Sequence, residues 1–142
     1  MKQPSDKIFH VKATEINEAL DKEYRQYFIG QLQRPQLLNY IEKDNLEIGM
    51  SFYKTPKSDT PHMHSKTSEI LFILNGTYKV LLIESMEEFT LSAGDFFVLP
   101  PQTPYVSKAL SNTQVLFVKT GGNDKQIVSV SNEVNDWMLR LS

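Results

Sequence analysis

Short apolar runs, separated by turn residues, dominate the chain from about residue 25 to residue 120. Nine of them are rich in β-branched and aromatic residues: EYRQYFIG, LLNYI, LEIGMSFYK, EILFIL, TYKVLLI, EEFTLS, DFFVLP, PYVSKA and TQVLFVKT. Asp-Asn, Asn-Gly, Ala-Gly-Asp, Pro-Pro and Gly-Gly punctuate these runs. Many short strands at close spacing predict an all-β sandwich or barrel, and we expect about ten strands.

One turn and two of the strands carry further structural information. Asn75-Gly76 stands between EILFIL and TYKVLLI, and Asn-Gly tolerates the positive φ that both central residues of a type I′ turn need. We therefore predict a β-hairpin at this position. EILFIL and DFFVLP are apolar on both faces, so each strand needs cover on both sides. One face can line a barrel while the other packs on a second sheet or another subunit, which favours a homodimer.

Helical periodicity is found near the two ends of the chain. The segment from Thr14 to about Glu23 predicts a short helix, with apolar residues at helical spacing: Ile16, Ala19, Leu20 and Tyr24. The tail predicts an amphipathic helix over about 131–141, with an apolar stripe: Val134, Trp137, Met138 and Leu141. We interpret this stripe, including Trp137, as packing on the barrel or on a partner rather than as a ligand site.

Composition and charge exclude several classes of protein. The 142 residues carry a formal net charge of −2 with scattered Lys and Arg, which is not the footprint of a nucleic-acid binder. MKQPSDKIFH has no apolar signal region, and no apolar run approaches the roughly 20 residues that span a bilayer. The chain has no cysteine and therefore no disulfide or thiolate chemistry. We expect one cytoplasmic domain over 1–142 that binds neither nucleic acid nor membranes.

The candidate chemistry is concentrated in one short stretch, DTPHMHSKTSEILFILNGTYKV. Side chains two apart on a strand point to the same face, so His62 and His64 project side by side. If residues 65–68 form a turn, Glu69 can enter the neighbouring strand facing inward. Two imidazoles and a carboxylate can hold a divalent ion and leave positions open for water or substrate. On residue types alone, a polar pocket or a solvated strand stays open as an alternative.

The spacing of this stretch resembles the first motif of the cupin superfamily. In P-H-M-H-x4-E-x6-G, the motif positions are His62, His64, Glu69 and Gly76. Further along, GDFFVLP (Gly94 to Pro100) resembles the start of the second cupin motif. The resemblance covers about residues 45–120 and implies a cupin-type double-stranded β-helix, a jelly-roll barrel with short N- and C-terminal helices. It implies a barrel over about 37–120 after an N-terminal extension, 1–36.

Four positions depart from the cupin pattern and make the second motif degenerate. Pro56 replaces the glycine that usually opens the first motif. Gln102, Tyr105 and Ala109 replace the glycine, the histidine that is the fourth metal ligand, and a frequent asparagine. The resemblance therefore implies a metal set reduced to His62, His64 and Glu69, for Fe, Mn, Ni or Zn. Tyr105 could ligate as a phenolate, hydrogen-bond a metal-bound water or ligand, or transfer a proton as a catalytic residue.

The remaining site predictions concern the pocket and the third histidine. The expected pocket lining is aromatic and polar: Phe52, Phe72, Tyr78, Phe97 and Gln102. The face that each residue occupies depends on strand register, which the sequence does not settle. His10 lies near the N-terminus and is interpreted as an exposed histidine rather than a ligand.

Two functions follow from the resemblance. The first is a small metal-dependent enzyme, of isomerase or epimerase, lyase or dioxygenase type, acting on a polar metabolite such as a sugar derivative or an organic acid. The second is a non-catalytic binding or sensing cupin with a weak metal site or none. Both predict a small-molecule ligand. Metal-dependent turnover supports the first function, and stoichiometric binding without turnover supports the second.

Overall fold

The structure, a computed structural model, describes residues 2–3, 7–122, 124–140 and 142. The two helices are α1 (Ala13–Lys22) and α2 (Asn132–Leu139). The strands are β1 (Lys2–Gln3), β2 (Arg25–Gly30), β3 (Tyr40–Glu42), β4 (Glu47–Tyr53), β5 (Lys57–Ser58), β6 (His62–His64), β7 (Glu69–Asn75), β8 (Thr77–Leu82), β9 (Glu88–Ser92), β10 (Phe96–Leu99), β11 (Tyr105–Ala109), β12 (Thr113–Lys119) and β13 (Lys125–Ile127). Neither described helix is long and apolar enough to cross a membrane.

The strands form two sheets, which confirms the predicted all-β architecture. One sheet has seven strands in the order β1-β3-β2-β4-β12-β7-β10. The other follows the path β13-β6-β11-β8-β9, with β5 paired to β11. The sheets reach beyond the predicted barrel limits of 37–120, because β2 pairs with β4 and β13 pairs with β6. The described residues form thirteen strands rather than about ten, because four strands of only two or three residues, β1, β5, β6 and β13, lie outside the nine apolar runs.

The predicted hairpin at Asn75-Gly76 is wrong. β7 pairs with β10 and β12, whereas β8 pairs with β9 and β11 in the other sheet. Gly76 has a φ of +82°, and a Cβ there would lie 2.5 Å from Oγ1 of Thr113. That oxygen accepts a hydrogen bond from the Thr77 N–H at 3.0 Å. The glycine therefore serves a corner where the chain changes sheets and passes close to β12.

The inner faces of the two sheets enclose the main core. The alternation along β4, β7 and β12 puts every second side chain inside, as the period of a strand requires. Ile73 and Val80 are fully buried, one from each sheet. The core includes aromatic and aliphatic residues of both sheets: Tyr53, Leu71, Tyr78, Leu91, Leu99, Tyr105, Val115 and Phe117.

Both predicted helices are present. α1 begins at Ala13, within a residue of the expected start, and buries Ala19 and Leu20. α2 is shorter than the predicted 131–141, because Ser131 is the N-cap, its Oγ accepting from the Val134 N–H. Val134 and Trp137 are buried in a second core, and Met138 packs against it. Leu141, predicted as part of this stripe, lies outside the described residues.

A buried lysine connects α2 to β11. Lys108 is 3% exposed, and its Nζ donates to the carbonyl oxygens of Trp137 at 2.7 Å and Arg140 at 2.9 Å. The same ammonium lies 4.2 Å from the centroid of the Trp137 ring. The last carbonyl oxygens of a helix have no hydrogen-bond donor within the helix. A cation at this end therefore supplies both hydrogen bonds and a favourable charge.

Lys108→Met is expected to destabilise the fold by about 1–3 kcal/mol, because it leaves carbonyls at the end of α2 without their donor. Urea unfolding followed by circular dichroism measures the change. Lys79→Met is the matched control, because Lys79 is partly exposed and pairs only at 3.6 Å with Glu88. Equal stability of the Lys108 variant and the wild type would show that this lysine does not hold α2 in place.

Candidate metal centre

The short strand β6 places two histidines side by side. His62 and His64 are 2% and 5% exposed, and the alternation of the strand turns both toward the barrel interior. Their rings are perpendicular, with centroids 5.1 Å apart. β6 lies between β11 and β13, so neighbouring strands fix its position from both sides.

Glu69 approaches these histidines from the opposite sheet. It is the first residue of β7, directly after the loop that follows β6. One carboxylate oxygen, Oε2, lies 3.6 Å from Nε2 of His64. One ligand atom from each of His62, His64 and Glu69 fits within 4.8 Å of the other two. The structure therefore brings together the three residues predicted as metal ligands.

The outer nitrogen of each imidazole is bound by an acceptor. Nδ1 of His62 lies 2.6 Å from the carbonyl oxygen of Thr60, and Nδ1 of His64 lies 2.9 Å from Oδ1 of Asp124. Because a carbonyl and a carboxylate can only accept, both Nδ1 atoms carry the proton. In the neutral rings, Nε2 then keeps its lone pair and points toward the centre of the site. Such outer partners fix the tautomer and orientation of metal-ligating histidines.

Asp124 organises the loop between the histidines and Glu69. Its Oδ2 accepts from the backbone N–H of Lys66 at 2.6 Å and of Thr67 at 2.9 Å, and from Oγ of Ser65 at 3.3 Å. Burial raises the pKa of Asp124, but these donors and His64 outweigh it and hold the pKa well below its usual value. The carboxylate is therefore ionised and fixed beside His64.

The two histidines differ in their affinity for protons. Burial lowers the pKa of His62, and the Thr60 carbonyl opposes this only in part. The carboxylate of Glu69 raises the pKa of His64, with a further contribution from Asp124 and against the effect of burial. His64 is therefore the first of the pair to bind a proton as the pH falls.

Tyr105 stands beside the metal ligands and is bonded to one of them. Its hydroxyl donates to Oε2 of Glu69, and its ring centroid lies 4.6 Å from that of His62. Burial, followed by the charge of Glu69, raises the pKa of the Tyr105 phenol well above 10. Burial also raises the pKa of Glu69, but His64, Lys119 and Tyr105 outweigh it and lower that pKa to about 2. The phenol is thus the donor and the carboxylate the acceptor.

The donor set fits a divalent cation. Nε2 of His64 is buried and has no hydrogen-bond partner among the described residues. A buried lone pair is costly unless a metal ion or a hydrogen-bond donor lies in front of it. The ionised Glu69 supplies one negative charge to the same space. Two imidazole nitrogens and one carboxylate oxygen suit Fe, Mn, Ni or Zn, and the residues present do not select one of them.

A small cavity lies against the site. It measures about 30 Å³, which is room for about two water molecules. Its walls come from both sheets and include His62, Glu69 and the expected pocket residue Tyr78. The Tyr78 hydroxyl donates to Oγ of Ser107 at 2.8 Å, so this ring is held in place. Only a compact group can reach the centre of the site without displacing a side chain.

The three phenylalanines of the expected pocket do not line this cavity. Phe52 and Phe72 lie on the outer face of their sheet, because Ser51, Tyr53 and Leu71 occupy the inner positions. Phe72 is 38% exposed, and Phe52 lines a groove beside α1. Phe97 faces inward but packs on Phe89, with ring centroids 5.0 Å apart, at a distance from the cavity lining. The register decides these positions, and the sequence did not supply it.

Gln102 and His10 have other places in the structure. The Gln102 side chain is exposed at a φ of +61°, but its backbone N–H donates to the carbonyl of His64 at 2.6 Å. It therefore supports β6 through the main chain rather than lining the pocket. His10 is exposed in an irregular segment before α1, as expected.

Several residues of the site carried no signal in the sequence. Asp124 follows a Gly-Gly turn after the last long strand, sixty residues beyond His64 in sequence. Arg25 and Ser51 line the cavity from β2 and β4, which join the site only through sheet pairing. Lys119 and Lys125 lie at the ends of strands, where charged residues are common on any surface. Long-range pairing, rather than a local motif, brings all of these to the site.

A family model matches most of the chain. The model is described as Cupin and covers residues 45–142. No curated protein matches the chain. The matched segment contains β6, β7 and the whole metal centre, whereas α1, β2 and β3 precede it.

Solved structures share the fold. KdgF from Halomonas sp. is 26% identical with a TM-score of 0.50, over 58% of this chain and 75% of that chain. DMSP lyase DddQ from Ruegeria pomeroyi DSS-3 is 20% identical with a TM-score of 0.53, over 75% and 50%. Oxalate decarboxylase from Bacillus subtilis is 21% identical with a TM-score of 0.50, over 66% and 28%. Below 25% identity, such a likeness concerns the fold alone.

Proposed function

Because the chain belongs to the cupin family, we propose that it is a metal-dependent cupin that binds or acts on a small polar metabolite in its barrel. The family match bears out the resemblance read from the motifs, and the two facing sheets bear out the jelly-roll fold. The ligand class proposed is a sugar derivative or an organic acid, and the compartment proposed is the cytoplasm.

One observation carries this proposal. His62 and His64 each have Nδ1 bound to an acceptor, and Nε2 of His64, which has no hydrogen-bond partner among the described residues, lies 3.6 Å from a carboxylate oxygen of the ionised Glu69 in a buried space. A site built only for packing would not hold two lone pairs and a carboxylate against each other, because buried polar groups without partners are costly. Metal binding accounts for all three groups together.

Each residue of the site has a defined part in this proposal. A bound divalent ion would be held by His62, His64 and Glu69 and would supply Lewis-acid chemistry or, if iron, dioxygen chemistry. Asp124 orients His64, and Tyr105 orients Glu69 through its hydroxyl. Tyr105 is protonated at neutral pH, so it can donate a proton to a ligand but is a poor acceptor of one.

The small cavity and the protonated Tyr105 favour a second candidate, a cupin that holds its ligand without turnover. Glu69, as a metal ligand, is a poor general base, and Tyr105 is a poor proton acceptor. A screen of sugar derivatives and organic acids against the Mn²⁺-, Fe²⁺-, Ni²⁺- and Zn²⁺-loaded protein separates the two candidates. Turnover that is lost with chelator and restored with metal supports the enzyme. Saturable binding of a screened compound without turnover supports the binding protein.

Metal affinity is expected to weaken as the pH falls, starting above pH 6.5. Protons compete with the metal for the imidazole lone pairs. The pKa of His64 is raised above 6.5, so competition begins there, and the lowered pKa of His62 adds a second step below 6.5. Below each pKa, affinity should fall about tenfold per pH unit for each competing proton. Calorimetric titration of Zn²⁺ from pH 8 to pH 5 measures this; constant affinity would contradict histidine ligation.

We further propose that the protein is a homodimer, formed through the outer face of β7 and β10. The outward positions of these two strands carry no charge, and four of them are exposed apolar residues: Phe72, Leu74, Phe96 and Val98. β10 is the last strand of its sheet, so no strand of the described part of the chain pairs with its outer edge, and Phe96 and Val98 on its outer face are exposed in one copy. An uncharged face fits the same face of a second copy better than it fits a charged surface.

Phe72→Glu/Phe96→Glu is expected to convert the dimer to a monomer, because two carboxylates from each copy would be buried in the interface. Light scattering after size-exclusion chromatography gives the mass of each species. Ile8→Glu is the matched control, since Ile8 is fully exposed and belongs to neither β7 nor β10. A wild type that is monomeric at every concentration would remove the dimer proposal.

A further inference from the structure

A cationic side chain from outside the segment matched by the family model, Arg25, lines the cavity beside the metal centre. Arg25 lies in β2, before residue 45, and pairs with Ser51 of β4. Cross-strand partners share a face, so the side chain of Arg25 points inward with that of Ser51. Both residues line the same cavity as His62 and Glu69. The N-terminal part of the chain therefore contributes a charged side chain to the wall of this cavity.

Four side chains hold the guanidinium in one position. Its Nε donates to Oγ of Ser51 at 2.9 Å, and its Nη2 donates to the hydroxyl of Tyr53 at 3.2 Å. Its central carbon lies 5.2 Å from the ring centroid of Tyr24 and 5.1 Å from that of Phe117. None of these partners carries a negative charge. The group is thus oriented by its surroundings but not neutralised by them.

Arg25 differs in this respect from the other cations of the cavity. Lys119 lies 3.7 Å from a carboxylate oxygen of Glu47, and Lys125 lies 3.9 Å from one of Asp59. None of the ion pairs among the described residues includes Arg25. Its two hydrogen bonds use two of the five N–H donors of a guanidinium. Arginine inside a protein is ordinarily paired, so the missing partner is informative.

We propose that Arg25 binds the carboxylate group of a small anionic ligand in this cavity. A guanidinium matches a carboxylate with two parallel N–H···O bonds, and the fixed orientation reduces the entropy lost on binding. The cavity of about 30 Å³ admits a compact group of this kind, with any larger part of the ligand toward the exposed rim at Asp59 and Lys125. This inference rests on the proposed function and narrows its ligand class to carboxylates.

Acetate is the probe. Acetamide, which has nearly the same shape but no charge, is the control. Both are titrated into chelator-treated, isotope-labelled protein while the Nε–Hε signal of Arg25 is followed by NMR. Acetate should shift this signal saturably in the wild type, and acetamide should not. Arg25→Gln should weaken acetate binding about tenfold or more, since the charge-assisted pair is lost. Arg34→Gln, which removes the same charge from an exposed position, should leave acetate affinity unchanged.

The wild-type signal keeps the inference testable if Arg25→Gln does not fold. An unshifted Arg25 signal at saturating acetate would overturn it, and so would equal acetate affinity in folded Arg25→Gln. If the wild type binds no metal but acetate binding still depends on Arg25, the metal proposal fails and this inference stands. If metal binds normally and acetate ignores Arg25, this inference fails alone.

Discussion

His62→Ala/His64→Ala is expected to reduce divalent-metal affinity by about a thousandfold or more. The double variant removes two of the three ligands, and the loss of an outer-shell partner alone typically costs about 10–100-fold. Glu69 would remain as a single carboxylate, held by its bond from Tyr105. Titration of Mn²⁺, Fe²⁺, Ni²⁺ and Zn²⁺ by calorimetry measures the change. All four metals should be affected, because the same ligand set serves each of them.

The control for this variant is His10→Ala. His10 is an exposed histidine outside the site, so its loss should leave metal affinity unchanged. Circular dichroism and thermal unfolding of the metal-free proteins show whether the double variant keeps its fold. A folded double variant that binds metal as tightly as the wild type would mean that the β6 histidines are not ligands. The binding-protein candidate would then replace the metal-dependent one.

Asp124→Asn is expected to weaken metal binding by about 10–100-fold. Asp124 does not belong to the ligand set; it holds Nδ1 of His64 at 2.9 Å and anchors Lys66 and Thr67 by their N–H groups. Asparagine keeps one acceptor oxygen but loses the charge that supports the imidazole as a donor. The same substitution should also lower the pKa of His64, because one of the two carboxylates that raise it becomes neutral.

Two readouts separate this positioning role from a merely structural one. Zinc affinity is measured by calorimetry, and the His64 titration is followed by NMR in the metal-free protein. Asp136→Asn, at an exposed position on α2, is the control for the loss of one negative charge. A variant with unchanged zinc affinity and an unchanged His64 titration would show that Asp124 serves only to hold the loop.

The fold could be predicted from the sequence because its determinants are local. Each of the nine apolar runs contains a strand, although only Tyr40 and Ile41 of LLNYI belong to one. The stripes at Leu20 and Trp137 are the buried faces of α1 and α2. The error at Asn75-Gly76 has a physical cause: a positive-φ glycine serves a hairpin and a corner between sheets equally well. Only pairing across the sheets distinguishes the two, and no local pattern encodes it.

The residues of the candidate site likewise fall into two groups, those that local spacing predicts and those that depend on long-range pairing. His62 and His64 are fixed by strand alternation, and Glu69 follows within one short loop, so their convergence could be foreseen from spacing. The faces that Phe72 and Phe52 occupy depend on strand register, and a shift of one residue moves a side chain to the other face. Asp124 and Arg25 reach the site from strands and loops distant in sequence. Their roles depend on tertiary contacts that a single sequence does not display.

The central claim is that His62, His64 and Glu69 hold one divalent ion. Crystals grown with Zn²⁺ or Mn²⁺ and measured on either side of the metal absorption edge test it directly. A single anomalous peak in contact with Nε2 of both histidines and the Glu69 carboxylate is the predicted result. Metal-loaded crystals with no anomalous density between these three side chains would contradict it.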